Sequence, residues 1–136
     1  MHVTRWGDTG RVVVMVHGSA QGSRTDGGQH FARQESLASR GWQIVVPDRP
    51  GHGLSPAPGR PDDAREDGRL IAELLSSSAH LVGHSFGGAV ALAAAAQRPN
   101  AVRSLTIIEP ALQRFAMSDP AVRKFGFNAI KTLKFT

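Results

Sequence analysis

The stretch from residue 79 to residue 97 constrains this chain more than any other. Ala79-His80-Leu81-Val82 has the apolar character of a short buried strand. Gly83-His84-Ser85-Phe86-Gly87 follows, and residues 88–97 form an apolar, alanine-rich run of helical length. Strand, G-x-S-x-G, helix is the context of a nucleophile elbow. So tight a turn holds its central residue in a strained conformation and lifts the side chain clear of the sheet. Side chains two residues before and after would collide with neighbouring backbone, which calls for glycine at 83 and 87. A helix beginning at Phe86 also aims unpaired N–H groups at the point where negative charge would gather. The pattern singles out Ser85 as a candidate nucleophile. The competing reading is a glycine-rich turn with an ordinary capping serine. With 15 glycines in 136 residues, the surrounding sequence has to decide.

That surrounding sequence alternates strand and helix. Residues 3–6 suit a short edge strand, and Arg11-Val12-Val13-Val14-Met15-Val16 is a β-branched run of the kind buried on both faces of a parallel sheet. The small-residue loop His17-Gly18-Ser19-Ala20-Gln21-Gly22 leaves its carboxyl end, where α/β folds bind ligands. Residues 28–39 read as a helix stopped by Gly41, and residues 42–46 as the next strand. A second helix is predicted over residues 61–75, where Ala64, Asp67, Ile71 and Leu74 share one face, apolar apart from Asp67. Residues 102–108 read as another buried strand, ending at Glu109-Pro110. The fold class expected is α/β, an open parallel sheet with helices on both faces. In the tail, Ser118-Asp119-Pro120 is a helix start, followed by Val122, Phe125, Ala129, Ile130 and Leu133 at helical spacing.

Taken together, these motifs resemble the α/β-hydrolase superfamily over residues 3–112. The string Asp48-Arg49-Pro50-Gly51-His52-Gly53-Leu54-Ser55 is similar to the D-x-x-G-x-G-x-S loop of many members. By that resemblance Asp48 and Arg49 organise the turn, and His52 lies near the site mouth without doing chemistry. The resemblance implies an oxyanion hole made by the Phe86 amide and the Ser19 amide, with Ala20 as second choice for the latter. It implies a substrate pocket that includes His17, Gly18, Ala20 and His84. His17 by itself reads as a structural histidine rather than a proton carrier. Residues 1–110 would be the core and residues 111–136 the beginning of a helical cap. A basic amphipathic surface helix is the other reading of that tail.

Serine catalysis needs a base and an acid that orients it. In the superfamily these follow the serine in the chain, acid before histidine. The six histidines are His2, His17, His30, His52, His80 and His84, so none lies beyond Ser85. Glu109 is a partial candidate for the acid, from a position that some members use. The expectation is thus a serine hydrolase of a small ester, thioester, amide or C–C bond, represented by its N-terminal part and inactive as such. The rival is a non-catalytic relative that holds a small ligand in the same pocket. Relatives acting on halides or epoxides carry Asp where this chain has Ser85, which disfavours both.

Composition narrows the rest. Charged residues make up 20% of the chain, and the net charge of +5 comes from scattered Lys and Arg without aromatic interleaving. That argues against a nucleic-acid surface. The absence of cysteine removes disulfides, thiolate metal sites and cysteine nucleophiles. No metal-ligand spacing or phosphate-binding glycine loop appears, so no cofactor is expected. Residues 1–5 lack a signal-peptide pattern, and the longest apolar run is too short to span a bilayer. A cytoplasmic protein with a small-molecule substrate and no membrane or nucleic-acid partner is expected, with self-association of the chain from its unpaired strand edge.

Overall fold

The computed structural model describes residues 1–18, 26–113 and 117–124. One sheet contains β1 Val3–Trp6, β2 Arg11–Val16, β3 Trp42–Pro47, β4 Ala79–His84 and β5 Val102–Ile108, in the spatial order β1-β3-β2-β4-β5. β3, β2, β4 and β5 run parallel, while β1 pairs antiparallel with β3 at the edge. The sheet is therefore mixed. Only four residues separate β1 from β2, too few for the crossover a parallel strand needs, so the link can only reverse the chain.

Period-two alternation sorts the apolar side chains into two cores. Val14, Val16, Val45 and Leu81 face one side and meet Ile71, Ala72, Val90, Ala91 and Ala94. These last belong to two helices, α2 Ala64–Leu74 and α3 Phe86–Gln97, numbered after a short α1 Gly27–His30. Val13, Met15, Ile44 and Val46 face the other side and meet Phe31, with Leu37 and Trp42 packed around them. Helices thus cover both faces of the central strands, as the continuous apolar run of β2 requires.

Local chemistry sets the helix limits. Asp63 caps α2, its Oδ1 accepting from the amides of Arg65 at 2.8 Å and Glu66 at 3.1 Å, so Pro61 and Asp62 stay outside the helix. The helix expected over residues 28–39 divides instead into α1 and a 3-10 segment Ala32–Arg40. Ser36 and Ser39 donate their hydroxyls to the carbonyls of Arg33 and Ser36, three residues back, and so compete with an α-helical ladder. Gly41 ends the segment at φ 79°. In the tail, Asp119 accepts from the Ala121 amide at 2.7 Å, and residues 120–124 are helical. The rest of the expected cap helix lies outside the described residues.

β5 departs from expectation. Val102, Leu105 and Ile107 are half-buried, whereas Arg103, Ser104, Thr106 and Ile108 are exposed. Among the described residues only β4 lies beside this strand, so it is an edge rather than a buried strand. No helix among them is long and apolar enough to cross a membrane.

Candidate active site

The chain passes from β2 outward to β3, then returns across β2 to β4. Such a reversal opens a crevice at the carboxyl ends of the two central strands. β2 leads into His17-Gly18 and β4 leads into Ser85, and their register pairs Val16 with Gly83. The crevice therefore has Gly18 on one side and Ser85 on the other.

Ser85 sits at φ 54° and ψ −124°, a backbone conformation that residues with a Cβ rarely adopt. Its surroundings hold it there. The Ser85 amide donates to the Ile108 carbonyl at 2.9 Å, and the Ser85 carbonyl accepts from Gly88 at 2.9 Å and Ala111 at 3.0 Å. Both backbone groups are thus fixed, by the end of β5 and by the first turn of α3. A Cβ on Gly87 would run into the Val16 and His17 carbonyls, and one on Gly83 into the Gly87 carbonyl. A further close approach spans the crevice. A Cβ on Gly18 would stand 2.6 Å from the Ser85 Cβ and 3.2 Å from its Oγ. Phe86 is the first residue of α3, so its amide has no acceptor within the helix and stands directly after the serine. Chemically, this is a half-buried serine beside the first turn of a helix, an arrangement suited to stabilising an oxyanion.

The histidines divide by environment. His17 is fully buried, its Nδ1–H donating to the Gly18 carbonyl at 2.7 Å and its Nε2 accepting from the Arg49 amide at 3.0 Å. Burial is the main cause that pushes its pKa down to about 4. The ring is tied into the backbone of the loop by both its nitrogens. His52 is also buried, with Nδ1 3.0 Å from the Pro50 carbonyl and Nε2 3.1 Å from the Arg49 guanidinium. Neither ring is placed as a mobile proton carrier. His84 is half-buried, and its Nδ1 lies 3.1 Å from Nε2 of His30. His30 is held below its ordinary pKa, first by burial and then by the His84 charge. Nothing in the sequence signalled this pair, since 54 residues separate its members.

Asp48 organises the turn, its carboxylate accepting from the Gly27 amide at 2.6 Å and the Leu54 amide at 2.9 Å. Asp67, the polar interruption in the apolar face of α2, is wholly buried and takes hydrogen bonds from Arg49 at 2.9 Å and Arg60 at 2.7 Å. An acid in an apolar stripe was the available signal for a buried ion pair. Glu109 follows β5 at φ 43° and is exposed. Ser19 and Ala20, the expected second oxyanion donors, lie outside the described residues. Beside Phe86 opens a cleft of about 320 Å³, lined by Asp62, Asp63, Arg65, Ala89, Ala111 and Leu112. Another of about 410 Å³, between Pro50 and Asp62, includes no residue of the elbow. Among the described residues no three His, Asp or Glu side chains are grouped to hold a metal ion.

A family model described as the alpha/beta hydrolase fold matches residues 11–129. Lipase LipV of Mycobacterium tuberculosis is 37% identical over 119 residues, covering 82% of this chain and 42% of the relative. A 2-hydroxymuconate semialdehyde hydrolase of Pseudomonas sp. is 31% identical over 124 residues, covering 85% of this chain and 42% of the relative. Among solved structures, a thermophilic esterase from Thermogutta terrifontis superposes with a TM-score of 0.70 at 26% identity, covering 80% of this chain and 40% of that one. The chain thus spans about two fifths of the length of these relatives.

Proposed function

We propose, from the premise that the chain belongs to the α/β-hydrolase family, that it carries the nucleophilic half of a serine hydrolase site. In this reading the Ser85 Oγ attacks a carbonyl carbon and the Phe86 amide receives the developing oxyanion, joined by an amide of the loop after Gly18. Ser19 holds that second position, with Ala20 as the alternative. The observation that carries the reading is the backbone of Ser85. A positive φ at a residue with a side chain costs on the order of 1–3 kcal/mol and persists only where the surroundings enforce it. A capping serine needs no such conformation, since N-caps are ordinarily extended. Ester, thioester, amide and activated C–C substrates all present a carbonyl that this arrangement suits. The relatives named as lipase, esterase and semialdehyde hydrolase lie within that range.

The reaction also needs a proton acceptor for Ser85. His17 is a poor one, because both its nitrogens are engaged and its pKa is about 4. Glu109 stands at the end of β5, whose last carbonyl holds the Ser85 amide, and it is proposed as the acid that orients a base. An aryl fluorophosphonate tests the nucleophile in a longer protein that carries this chain together with a base, since its reaction needs the serine, the oxyanion donors and a proton acceptor at once. Labelling is expected on Ser85 and lost in Ser85→Ala. Equal labelling in Ser85→Ala would end the assignment, and a base-bearing wild-type protein that stays unlabelled would favour a pocket that binds without turnover.

A further inference from the structure

Arg49 is where four parts of the molecule meet. It follows β3, and its side chain is wholly buried. Its Nε–H donates to the His17 carbonyl at 3.2 Å, and one terminal nitrogen pairs with Asp67 of α2 at 2.9 Å and with Asp62 at 3.4 Å. The other terminal nitrogen lies 3.1 Å from His52 Nε2. Its guanidinium carbon stands 4.6 Å from the centroid of the Phe86 ring. Two of these contacts fall on residues next to the crevice. His17 immediately precedes Gly18, and Phe86 immediately follows Ser85.

A buried ion pair is a weak device for stability alone, because an apolar group of the same volume often does as well. What an apolar group lacks is direction. A planar guanidinium stacks on an aromatic face while its in-plane N–H groups reach a carbonyl, a carboxylate and an imidazole together. The charge itself is balanced locally. Arg49 and Arg60 are met by Asp67 and Asp62, so the group brings geometry to the site rather than net field.

We infer that Arg49 is a positioning residue, which locks the β2 end to the Phe86 side chain and thereby sets where the Phe86 amide points relative to Ser85. Its catalytic meaning rests on the serine-hydrolase reading proposed above. The lock itself is a statement about structure and is testable without turnover.

The test compares the 136-residue chain with Arg49→Lys, Phe86→Leu and the double variant. Each is measured for melting temperature, for the binding and rate constants of fluorophosphonate labelling, and for the Phe86 backbone amide resonance. Lysine keeps the charge but loses the stacking plane and the Nε–H. Arg49→Lys is expected to lower the maximal labelling rate on the order of tenfold or more, with reagent binding changed less than about threefold. Phe86→Leu alone should lower the rate as well, and the double variant should be no slower than the slower single, because both remove one coupling. Wild-type labelling in Arg49→Lys with an unmoved Phe86 amide overturns the inference. So do losses that multiply in the double variant, or that merely follow the melting temperature. Should Arg49→Lys fail to fold, Phe86→Leu decides alone, because it leaves the charge network intact. A folded Phe86→Leu that labels like wild type overturns the inference. If the wild-type chain does not label, the Phe86 amide in Arg49→Lys decides the lock by itself, and an unmoved amide overturns the inference.

Discussion

His17 shows how one residue links loop architecture to pH. Its ring is buried and neutral, with one nitrogen donating and the other accepting, so a proton on Nε2 would destroy the bond from the Arg49 amide. Its pKa falls from 6.5 to about 4 in the folded chain. Between these values the unfolded chain binds the proton and the folded chain does not, so lowering the pH favours unfolding. The loss begins as the pH drops through 6.5 and is complete below about 4, and it amounts to about 3 kcal/mol. His30, shifted in the same direction, adds to it. The urea midpoint is therefore expected to fall between pH 7.5 and pH 5, with the His17 ring resonance titrating below pH 5. A His17 midpoint above pH 6 would contradict the buried neutral ring. At this scale Ser85, Gly83 and Gly87 were legible in the sequence, because the elbow is a local motif whose demands fall within five consecutive residues. Gly18 was legible only as part of a loop. Its contact with Ser85 is made across strands and depends on register, which no local pattern encodes.

Elements carry the next constraint, most clearly where α2 crosses α3. Gly68 lies in the middle of α2, where alanine would ordinarily stabilise a helix by roughly 0.5–1 kcal/mol. Here a Cβ would stand 2.7 Å from Ala93 Cβ, 3.0 Å from the Ala94 amide nitrogen and 3.1 Å from the Val90 carbonyl. Two of the three neighbours are backbone and cannot turn aside. Overpacking costs typically about 1–3 kcal/mol, so sterics should outweigh propensity. Gly68→Ala is expected to lower stability by about 1 kcal/mol or more in a urea melt, and a gain would show that the helices can separate freely. The close crossing also explains the alanines of α3, which the sequence showed only as an apolar run. The same element explains Asp67. Amphipathic spacing counted it as a flaw, yet it is the acceptor that lets Arg49 be buried between β3 and α2. Periodicity sees the face on which a residue lies and not the charge waiting opposite. The divided helix after residue 26 was hidden for a similar reason, since Ser36 and Ser39 choose their hydrogen bonds locally while the spacing still looks helical.

At the scale of the whole molecule, the alternation of strand and helix announced an α/β sheet, but strand order and the exposure of each strand depend on what lies beside them. β5 makes this concrete. Its sequence is apolar enough for an interior position, yet Ile108 is 44% exposed and the strand pairs only with β4 among the described residues. Next to it, Val13, Met15, Trp42, Val82, Ser104 and Thr106 line an open groove of about 230 Å³ on the sheet face. An edge strand with free backbone groups and an adjoining apolar groove is a template for pairing with another chain. Arg103 is the single charged residue along β5, and one charge does little to blunt a seven-residue edge. The 136-residue chain is therefore expected to elute as dimers or larger and to bind a hydrophobic dye. Thr106→Lys places a second charge on the exposed face of that strand and should shift the elution towards monomer without lowering stability in a urea melt by more than about 0.5 kcal/mol. If the wild-type chain runs as a monodisperse, dye-silent monomer, the edge is already protected. If Thr106→Lys associates as strongly as wild type, the contact lies elsewhere on the molecule and β5 is not its template.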